Sequence, residues 1–382
     1  MKHFAVIAIA AAVLAFPVPA NPAEAPVPED IPIALLVDLS SGQVLYSREP
    51  NRRFVPASVT KVMTAYTAFK LVDEGALRLD MPFLYSAELE DEWYAEGSNM
   101  FLRAGERPTI AQLLLGITTV SGNDASVAMA IAATGSKEEW LELMNANARD
   151  LGMSNTHFGS PNGFPDGGQT YSTAQDLAIL GRAITQQHPD LYARFFGHRG
   201  MRWRDITQAN HDPVTGRVEG ADGLKTGFTN EAGFTFLGSA ERDGRRLVMV
   251  LAGSPTGPMR DDAARSLLRW GFDEFRPVRL LERDRYTATA RVQNGSETHV
   301  DLKLPQDFMV AIPKDADVTS WKVDLVYRGP IEAPIATGER LARLRLTING
   351  ETVLETPLET MNDVPRANAL QRVVNAITGW VA

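Results

Sequence analysis

Cysteine is absent from the sequence of 382 residues. This absence excludes thiol catalysis, thiolate-bound metals and disulfide cross-links. Histidine is scarce as well: the six histidines are scattered and form neither an HExxH motif nor another spacing typical of metal ligands. We therefore expect no metal and no cofactor. Acidic residues outnumber basic ones, and the net charge of -9 argues against a nucleic-acid partner, because such a partner requires a basic surface.

The N-terminus lacks a long hydrophobic run, since its apolar stretch over residues 4–16 is too short to span a bilayer comfortably. Lys2 and His3 precede this stretch, and small residues and prolines follow it. A short basic segment, a short apolar segment and small residues are together typical of a cleaved signal peptide. We therefore predict a signal peptide over residues 1–25 and an exported protein. The alternative is a buried N-terminal helix.

The remaining chain is long enough for two domains, and its pattern changes near residue 275. Before that point, buried strands are predicted at residues 33–38, 234–238 and 246–251, with several helices between the first and the second. Strands on both sides of a helical middle predict an α/β (α+β) domain with a mainly antiparallel sheet over residues 26–275.

After residue 275 the sequence shows short alternating runs separated by turn signals. Asn294-Gly295 and Asn349-Gly350 are dipeptides typical of β-hairpins. We therefore predict a smaller all-β domain over residues 276–360.

The last segment, residues 361–382, carries apolar residues at helical spacing. These are Leu370, Val373, Val374, Ile377 and Val381, with Trp380 beside them. The pattern predicts an amphipathic helix that lies on a membrane surface. The alternative is that this helix packs on its own domain.

Three short motifs follow one another along the chain. They are Ser58-Val59-Thr60-Lys61 (S-x-x-K), Ser121-Gly122-Asn123 (S-x-N) and Lys225-Thr226-Gly227 (K-T-G). Motifs of these types, with Asp in the middle of the second, occur together in penicillin-binding proteins and class A β-lactamases. S-x-N also matches Ser160-Pro161-Asn162. We favour Ser121, because it lies between two apolar helices, whereas Ser160 lies in a long Gly/Pro-rich loop.

The chemistry of the first motif follows from its spacing. Ser58 and Lys61 are three residues apart, so one helical turn places both side chains on the same face. A serine hydroxyl is a weak nucleophile until a base removes its proton, and a lysine can do so only when its amine is neutral. Burial near another cation supplies that neutral form. Ser58 is therefore the predicted nucleophile, and Lys61 the predicted base.

The other two motifs supply groups for substrate binding and proton transfer. Ser121 is suited to pass a proton to the leaving amine, and Asn123 to hold a substrate amide. The cation of Lys225 and the hydroxyl of Thr226 suit a substrate carboxylate. Gly227 would let an extended peptide approach the strand as an added strand.

Two further residues are candidates for the site. His157, in the long loop, is predicted to have a structural role. Arg260 is predicted either to help bind a carboxylate or to lie on the surface.

The sequence around the motifs resembles the low-molecular-mass penicillin-binding proteins, the serine-type D-Ala-D-Ala carboxypeptidase family. The resemblance rests on residues 56–64 (PASVTKVMT), 151–158 (LGMSNTHF) and 220–229 (GADGLKTGFT). It implies a transpeptidase fold like that of serine β-lactamases and penicillin-binding proteins, an acyl-enzyme on Ser58, and Lys225 as a substrate contact. It also implies a periplasmic enzyme attached peripherally to the inner membrane through its C-terminal helix.

The resemblance further implies the reaction and its partners. The expected reaction is removal of the terminal D-alanine from the pentapeptide stem of peptidoglycan, with β-lactam antibiotics as covalent inhibitors. One alternative is a β-lactamase, although the sequence has no Glu-x-x-Leu-Asn element to position a deacylating water. The other alternative is a catalytically silent peptidoglycan-binding protein, against which the intact Ser58/Lys61 pair argues.

Overall fold

The computed structural model describes residues 7–8, 24–315, 318, 320–369 and 371. The chain divides into two compact units. The peptidase unit comprises residues 25–40 and 44–273, and the β unit comprises the other described residues, namely 7–8, 24, 41–43 and those from 274 onwards. None of the helices in the described part of the chain is long and apolar enough to cross a membrane.

The peptidase unit combines a five-stranded sheet and a two-stranded sheet with a group of helices. Its helical elements are η1 (Ala57–Thr60, a 3-10 turn), α1 (Lys61–Asp73), α2 (Ala87–Trp93), α3 (Ile110–Val120), α4 (Asn123–Thr134), α5 (Lys137–Asp150), α6 (Ala174–Gln187), α7 (Pro189–Phe195) and α8 (Gly257–Asp273). Its strands are β2 (Ile33–Asp38), β3 (Gln43–Arg48), β4 (Gly200–Trp203), β5 (Ile206–Ala209), β6 (Ala221–Thr229), β7 (Gly233–Arg242) and β8 (Arg245–Ser254). The predicted α/β (α+β) fold is confirmed.

The main sheet has the strand order β3-β2-β8-β7-β6. Strand β2 pairs antiparallel with β8, β8 with β7, and β7 with β6. The strand β6, which carries Lys225, Thr226 and Gly227, therefore lies at an edge of the sheet. An edge strand offers main-chain N–H and C=O groups to an added peptide.

Helix α1 lies in the interior of the peptidase unit. Every residue from Lys61 to Phe69 is buried, including Val62 and Met63. Its apolar side chains belong to the same buried cluster as residues of α3, α4, α6 and β8. Ser58 therefore lies in the turn that leads into a largely buried helix, on a rigid support.

The β unit contains the remaining strands. They are β1 (Ile7–Ala8), β9 (Phe275–Leu281), β10 (Tyr286–Gln293), β11 (His299–Lys303), β12 (Phe308–Pro313), β13 (Trp321–Tyr327), β14 (Ile331–Glu332), β15 (Ala342–Ile348) and β16 (Glu351–Thr360). The larger sheet has the order β1-β13-β15-β16-β11-β10-β14, and β9 pairs with β12. The predicted all-β character is confirmed.

Both predicted hairpin turns are present in the β unit. Asn294-Gly295 lies between the antiparallel strands β10 and β11, and Asn349-Gly350 joins β15 to β16. Asn349 and Gly350 have φ values of 52° and 87°. Positive φ at both central residues is the geometry that Asn-Gly favours.

Candidate active site

The S-x-x-K motif spans the junction between η1 and α1. Ala57 has a φ of 50°, and the 3-10 turn from Ala57 to Thr60 continues directly into α1 at Lys61. Lys61 Nζ and Ser58 Oγ are hydrogen-bonded at 3.0 Å. The helical spacing predicted this contact, and the structure shows it.

Lys61 is almost completely enclosed, with 1% of its surface exposed. Its Nζ donates to Asn123 Oδ1 at 2.8 Å and to the carbonyl oxygen of Asn162 at 2.6 Å. Burial lowers the pKa of Lys61 well below its ordinary value, and the charge of Lys225 lowers it further, whereas Asp124 opposes the shift. These effects favour a neutral amine beside the serine.

The S-x-N motif forms the junction between α3 and α4. Ser121 caps the end of α3 in the left-handed conformation, with φ 62°, and Asn123 is the first residue of α4. Asn123 Nδ2 donates to the carbonyl oxygen of Glu96 at 2.8 Å, so its Oδ1 must face Lys61. Two residues, Ser121 and Gly122, separate the two helices.

Asp124, the next residue, secures this junction. Its buried carboxylate accepts hydrogen bonds from the main-chain N–H groups of Met100 and Leu102 at 2.9 and 3.0 Å. Burial raises the pKa of Asp124, although these backbone donors work in the opposite direction. The segment before α3 is thereby fixed against the start of α4.

The K-T-G motif lies within strand β6. Lys225 is 4% exposed, and burial lowers its pKa to about 7, with a further contribution from the charge of Arg260, while Asp212 opposes the shift. Its Nζ donates to the carbonyl oxygen of Thr226 at 3.0 Å. A buried cation with no carboxylate within 4 Å among the described residues is suited to receive an anion.

Glycine at position 227 is required by the protein's own packing. A β-carbon there would contact Thr235 Oγ1 and lie 2.6 Å from the carbonyl oxygen of Pro56. The absence of a side chain at Gly227 therefore lets β6 pack closely against Pro56, in the segment that leads into Ser58. The expectation that Gly227 simply makes room for a peptide did not include this contact.

A loop over residues 160–163 completes the surroundings of Lys61, and sequence reasoning missed its role. Asn162 acts through its main-chain carbonyl oxygen, so no side-chain motif in the sequence could indicate its contact with Lys61. Gly163 has a φ of 73°, and a β-carbon there would collide with the carbonyl oxygen of Ala57. Ser160 Oγ accepts a hydrogen bond from the N–H of Gly163 at 3.0 Å. The second S-x-N match thus holds the loop in place.

These elements surround one cleft of about 590 Å³ in the peptidase unit. Five of the predicted site residues line it, namely Ser58, Ser121, Asn123, Thr226 and Gly227. Lys61 and Lys225 are buried beside it, the first bonded to Ser58 and the second adjacent to Thr226 in β6. The structure therefore brings together all three motifs.

Two further basic residues, Arg260 and His211, also line the cleft. Arg260 is 7% exposed and donates to the carbonyl oxygen of Thr235 at 2.9 Å, so the surface alternative for this residue is wrong. His211 lines the same cleft, and burial together with the charges of Lys225 and Arg260 lowers its pKa. His157 is not among the residues lining the cleft; it bonds the carbonyl oxygen of Gln169 at 2.9 Å.

A buried lysine bonded to a serine one turn before it, at the edge strand of an antiparallel sheet, defines a serine peptidase of the penicillin-binding class. Comparison with known proteins identifies the family within this class. The family model described as D-alanyl-D-alanine carboxypeptidase matches residues 24–256, and that of the C-terminal domain of penicillin-binding protein 5 matches residues 275–366. The chain belongs to the D-alanyl-D-alanine carboxypeptidase family, and it is a serine-type carboxypeptidase of the cell wall.

Individual relatives agree with this assignment. The D-alanyl-D-alanine carboxypeptidase DacD of Escherichia coli (strain K12) is 33% identical over 347 residues, which cover 89% of this chain and 88% of that protein. Among solved structures, penicillin binding protein 5 from Haemophilus influenzae has a TM-score of 0.79 at 29% identity and covers 91% of this chain and 100% of that one. Penicillin-Binding Protein D2 from Listeria monocytogenes, solved in an ampicillin-bound form, has a TM-score of 0.57 at 27% identity, covering 64% of this chain and 97% of that one.

Proposed function

We propose that Ser58 carries the acyl group when the enzyme removes the terminal D-alanine from peptidoglycan pentapeptides. One arrangement supports this proposal above all: the three hydrogen bonds of Lys61 Nζ. A neutral amine has two N–H groups and one lone pair. The oxygens of Asn123 and Asn162 can only accept, so they occupy both N–H groups. The lone pair then faces the hydroxyl of Ser58, ready to take its proton.

The reaction proceeds in two halves. Ser58 Oγ attacks the carbonyl carbon of the penultimate D-alanine while its proton moves to Lys61. Backbone N–H groups, including that of Ser58, stabilise the oxyanion, and one such donor typically contributes about 10²–10³ in rate. Ser121 passes a proton to the leaving amine, and the C–N bond breaks to release D-alanine. Water then hydrolyses the ester and restores Ser58.

The terminal carboxylate of the substrate is held by the basic end of the cleft. Lys225 and Arg260 supply positive charge, and the hydroxyl of Thr226 supplies a directed hydrogen bond. Asn123 holds a substrate amide on the other side of Ser58 through the second N–H of its Nδ2, because the first N–H donates to Glu96. Gly227, on the edge strand β6, lets the peptide main chain pair with the strand.

β-Lactams are proposed to acylate the same serine and to remain bound. The likeness to the Listeria protein solved with ampicillin supports acylation. The β-lactamase alternative requires a positioned deacylating water, for which the sequence offers no Glu-x-x-Leu-Asn element. A protein that only binds peptidoglycan would not need a buried lysine hydrogen-bonded to Ser58, so this contact argues against the silent-binder alternative.

Two measurements separate these alternatives. D-alanine release from a D-Ala-D-Ala peptide is expected to be catalytic, and a fluorescent penicillin is expected to label the protein covalently with slow loss of the label. Rapid turnover of penicillin without D-alanine release would favour the β-lactamase. Absence of both reactions in the folded protein would favour the silent binder.

We also propose the location and domain limits that the sequence predicts. Residues 1–25 are proposed to direct export to the periplasm, with the peptidase domain over 26–275 and the β domain over 276–360. The C-terminal helix over 361–382 is proposed to attach the enzyme peripherally to the inner membrane. Most of the proposed signal peptide, and residues 370 and 372–382 of the proposed helix, lie outside the described residues.

A further inference from the structure

A second groove adjoins the active-site cleft in the peptidase unit. It has a volume of about 840 Å³ and shares three lining residues with the cleft, namely Phe228, Asn230 and Phe234. The rings of Phe228 and Phe234 stack with their centroids 4.2 Å apart, so they form a firm boundary between the two spaces. Arg52, Arg53 and Tyr171 border the groove further from the cleft.

The Arg53 guanidinium is fixed in position before any substrate arrives. It lies over the ring of Tyr171, 4.6 Å from the centroid, and its Nη2 donates to Asn155 Oδ1 at 3.0 Å. Phe54 and Ser172 exchange main-chain hydrogen bonds at 2.9 Å, which hold the Arg53 segment against the Tyr171 segment. A cation held in this way loses little side-chain entropy when it binds a ligand.

The charge of Arg53 is not neutralised by a neighbouring carboxylate. Among the described residues, no ion pair within 4 Å includes Arg53, and its side-chain partners are an amide oxygen and an aromatic ring. The adjacent Arg52 differs, because Glu49 pairs with it at 2.8 Å. Glu231 is the acidic residue on the groove wall, and it is exposed.

The direction of the substrate follows from strand β6. Lys225 and Arg260 hold the carboxylate at the C-terminal end of the peptide, and Ser58 attacks one residue before that end. A peptide that pairs with β6 from Lys225 towards Thr229 therefore has its upstream residues near Asn230, where the groove begins. The groove lies on the acyl side of the scissile bond.

We propose that this groove is a subsite for an acidic group carried by the peptidoglycan stem upstream of D-Ala-D-Ala, with Arg53 as the residue that binds the carboxylate. The proposal rests on the function assigned to Ser58 and extends it to the choice of substrate. Stems with a free carboxylate upstream of the two D-alanines are preferred over stems in which that carboxylate is an amide.

The test compares two pentapeptides that differ only in whether the upstream stem carboxylates are free or amidated. The wild-type enzyme is expected to show a higher kcat/KM for the free-acid peptide, by roughly two- to fivefold, which is the range for an exposed ion pair. Arg53→Gln is expected to abolish this preference by lowering kcat/KM for the free acid. Raising the salt concentration is expected to reduce the preference of the wild type.

Three controls make the result specific. Arg52→Gln, which alters a neighbouring arginine already paired with Glu49, is expected to keep the preference, and Arg53→Lys to keep part of it. Labelling by a fluorescent penicillin reports whether the Ser58 chemistry is intact, so its loss would count against the proposed function and not against the subsite. The subsite is refuted if wild type shows no preference, or if folded Arg53→Gln lowers kcat/KM equally for both peptides.

Discussion

Lys61 Nζ and the main-chain carbonyl oxygen of Asn162 are 2.6 Å apart, the shortest of the three hydrogen bonds that surround this amine. Because a carbonyl can only accept, the bond directs one N–H of Lys61 away from the serine. Asn123 Oδ1 takes the second N–H in the same way. The lone pair of the neutral Lys61 amine is therefore directed towards Ser58 by two acceptors, Asn123 and Asn162, that do not themselves react.

The first prediction concerns the nucleophile. Ser58→Ala is expected to abolish covalent labelling by a fluorescent penicillin, because the attacking oxygen is removed. The fold is expected to survive, since one hydrogen bond of this kind contributes only about 0.5–1.5 kcal/mol to stability. Gel fluorescence with circular dichroism on the same sample tests both statements. Full labelling of a folded Ser58→Ala protein would remove Ser58 from its assigned role.

Lys225 is expected to govern the affinity for the substrate carboxylate. Lys225→Ala is expected to slow acylation by both the peptide and penicillin, because each carries a carboxylate. A charge-assisted hydrogen bond is worth about 1.5–3 kcal/mol, which corresponds to roughly 10–150-fold in rate. Stopped-flow acylation rates measure the loss. Unchanged rates in this variant would show that Lys225 does not contact the carboxylate.

The pH dependence of kcat/KM follows from two lysines that must carry opposite charges. Lys61 acts as a base only when neutral, so the rate falls on the acid side as Lys61 gains a proton. Lys225 binds the carboxylate only when charged, and its pKa of about 7 makes the rate fall as the pH rises above that value. We expect a bell-shaped profile whose limbs report the interacting pair.

Lys225→Arg separates the two limbs. Arginine stays charged throughout the accessible range, so this variant is expected to lose the alkaline limb and to keep the acid limb, whatever its absolute rate. Profiles of kcat/KM against pH for both enzymes provide the test. An alkaline limb at the same position in wild type and variant would show that another group causes it.

Asn123 allows the charge of Lys61 to be manipulated directly. In Asn123→Asp a carboxylate replaces the amide oxygen that lies 2.8 Å from Nζ, and it favours the protonated amine. Such a neighbour raises a pKa by about 1–3 units, so acylation near pH 7 is expected to fall by up to about 10³-fold. Asn123→Ala is the matched control, because it removes the amide without adding charge. An acid limb that is equal in both variants would contradict the assignment of Lys61 as the base.

The last prediction concerns the C-terminal segment. Deleting the residues after Pro365 is expected to release the enzyme from the membrane fraction, because the proposed helix has a modest apolar stripe and only two arginines near it. Peptidase activity on small peptides is expected to persist, since all three motifs precede Phe228. Activity measured in membrane and soluble fractions distinguishes the two forms. Full-length protein found wholly in the soluble fraction would rule out the anchor.

The sequence allowed the long elements to be predicted, and it missed the short ones. Helices α3, α5 and α6 have clear apolar periodicity and β2 is a continuous apolar run, and the structure contains all four. Helices α2 and α7 have seven residues each, and β4 and β5 have four, which is too few for a clear period. Their positions depend on tertiary packing.

The same limit applies within the site. Side-chain motifs placed Ser58, Lys61 and Lys225 together, because their chemistry is tied to residue type. Asn162 acts through its main-chain carbonyl, which every residue possesses, so no motif marks it. The burial of Arg260 likewise depends on how α8 packs, which local sequence does not specify.

The three partners of Lys61 also differ in how far they lie along the chain. Ser58 is three residues away, whereas Asn123 and Asn162 are separated from Lys61 by 62 and 101 residues. Contacts of such high sequence separation require large loops to close, so we expect the base to acquire its orientation only as the tertiary structure forms. A partly folded chain with α1 already helical would contain both Ser58 and Lys61 and still be unreactive. Penicillin labelling of this enzyme is therefore a probe of completed tertiary structure.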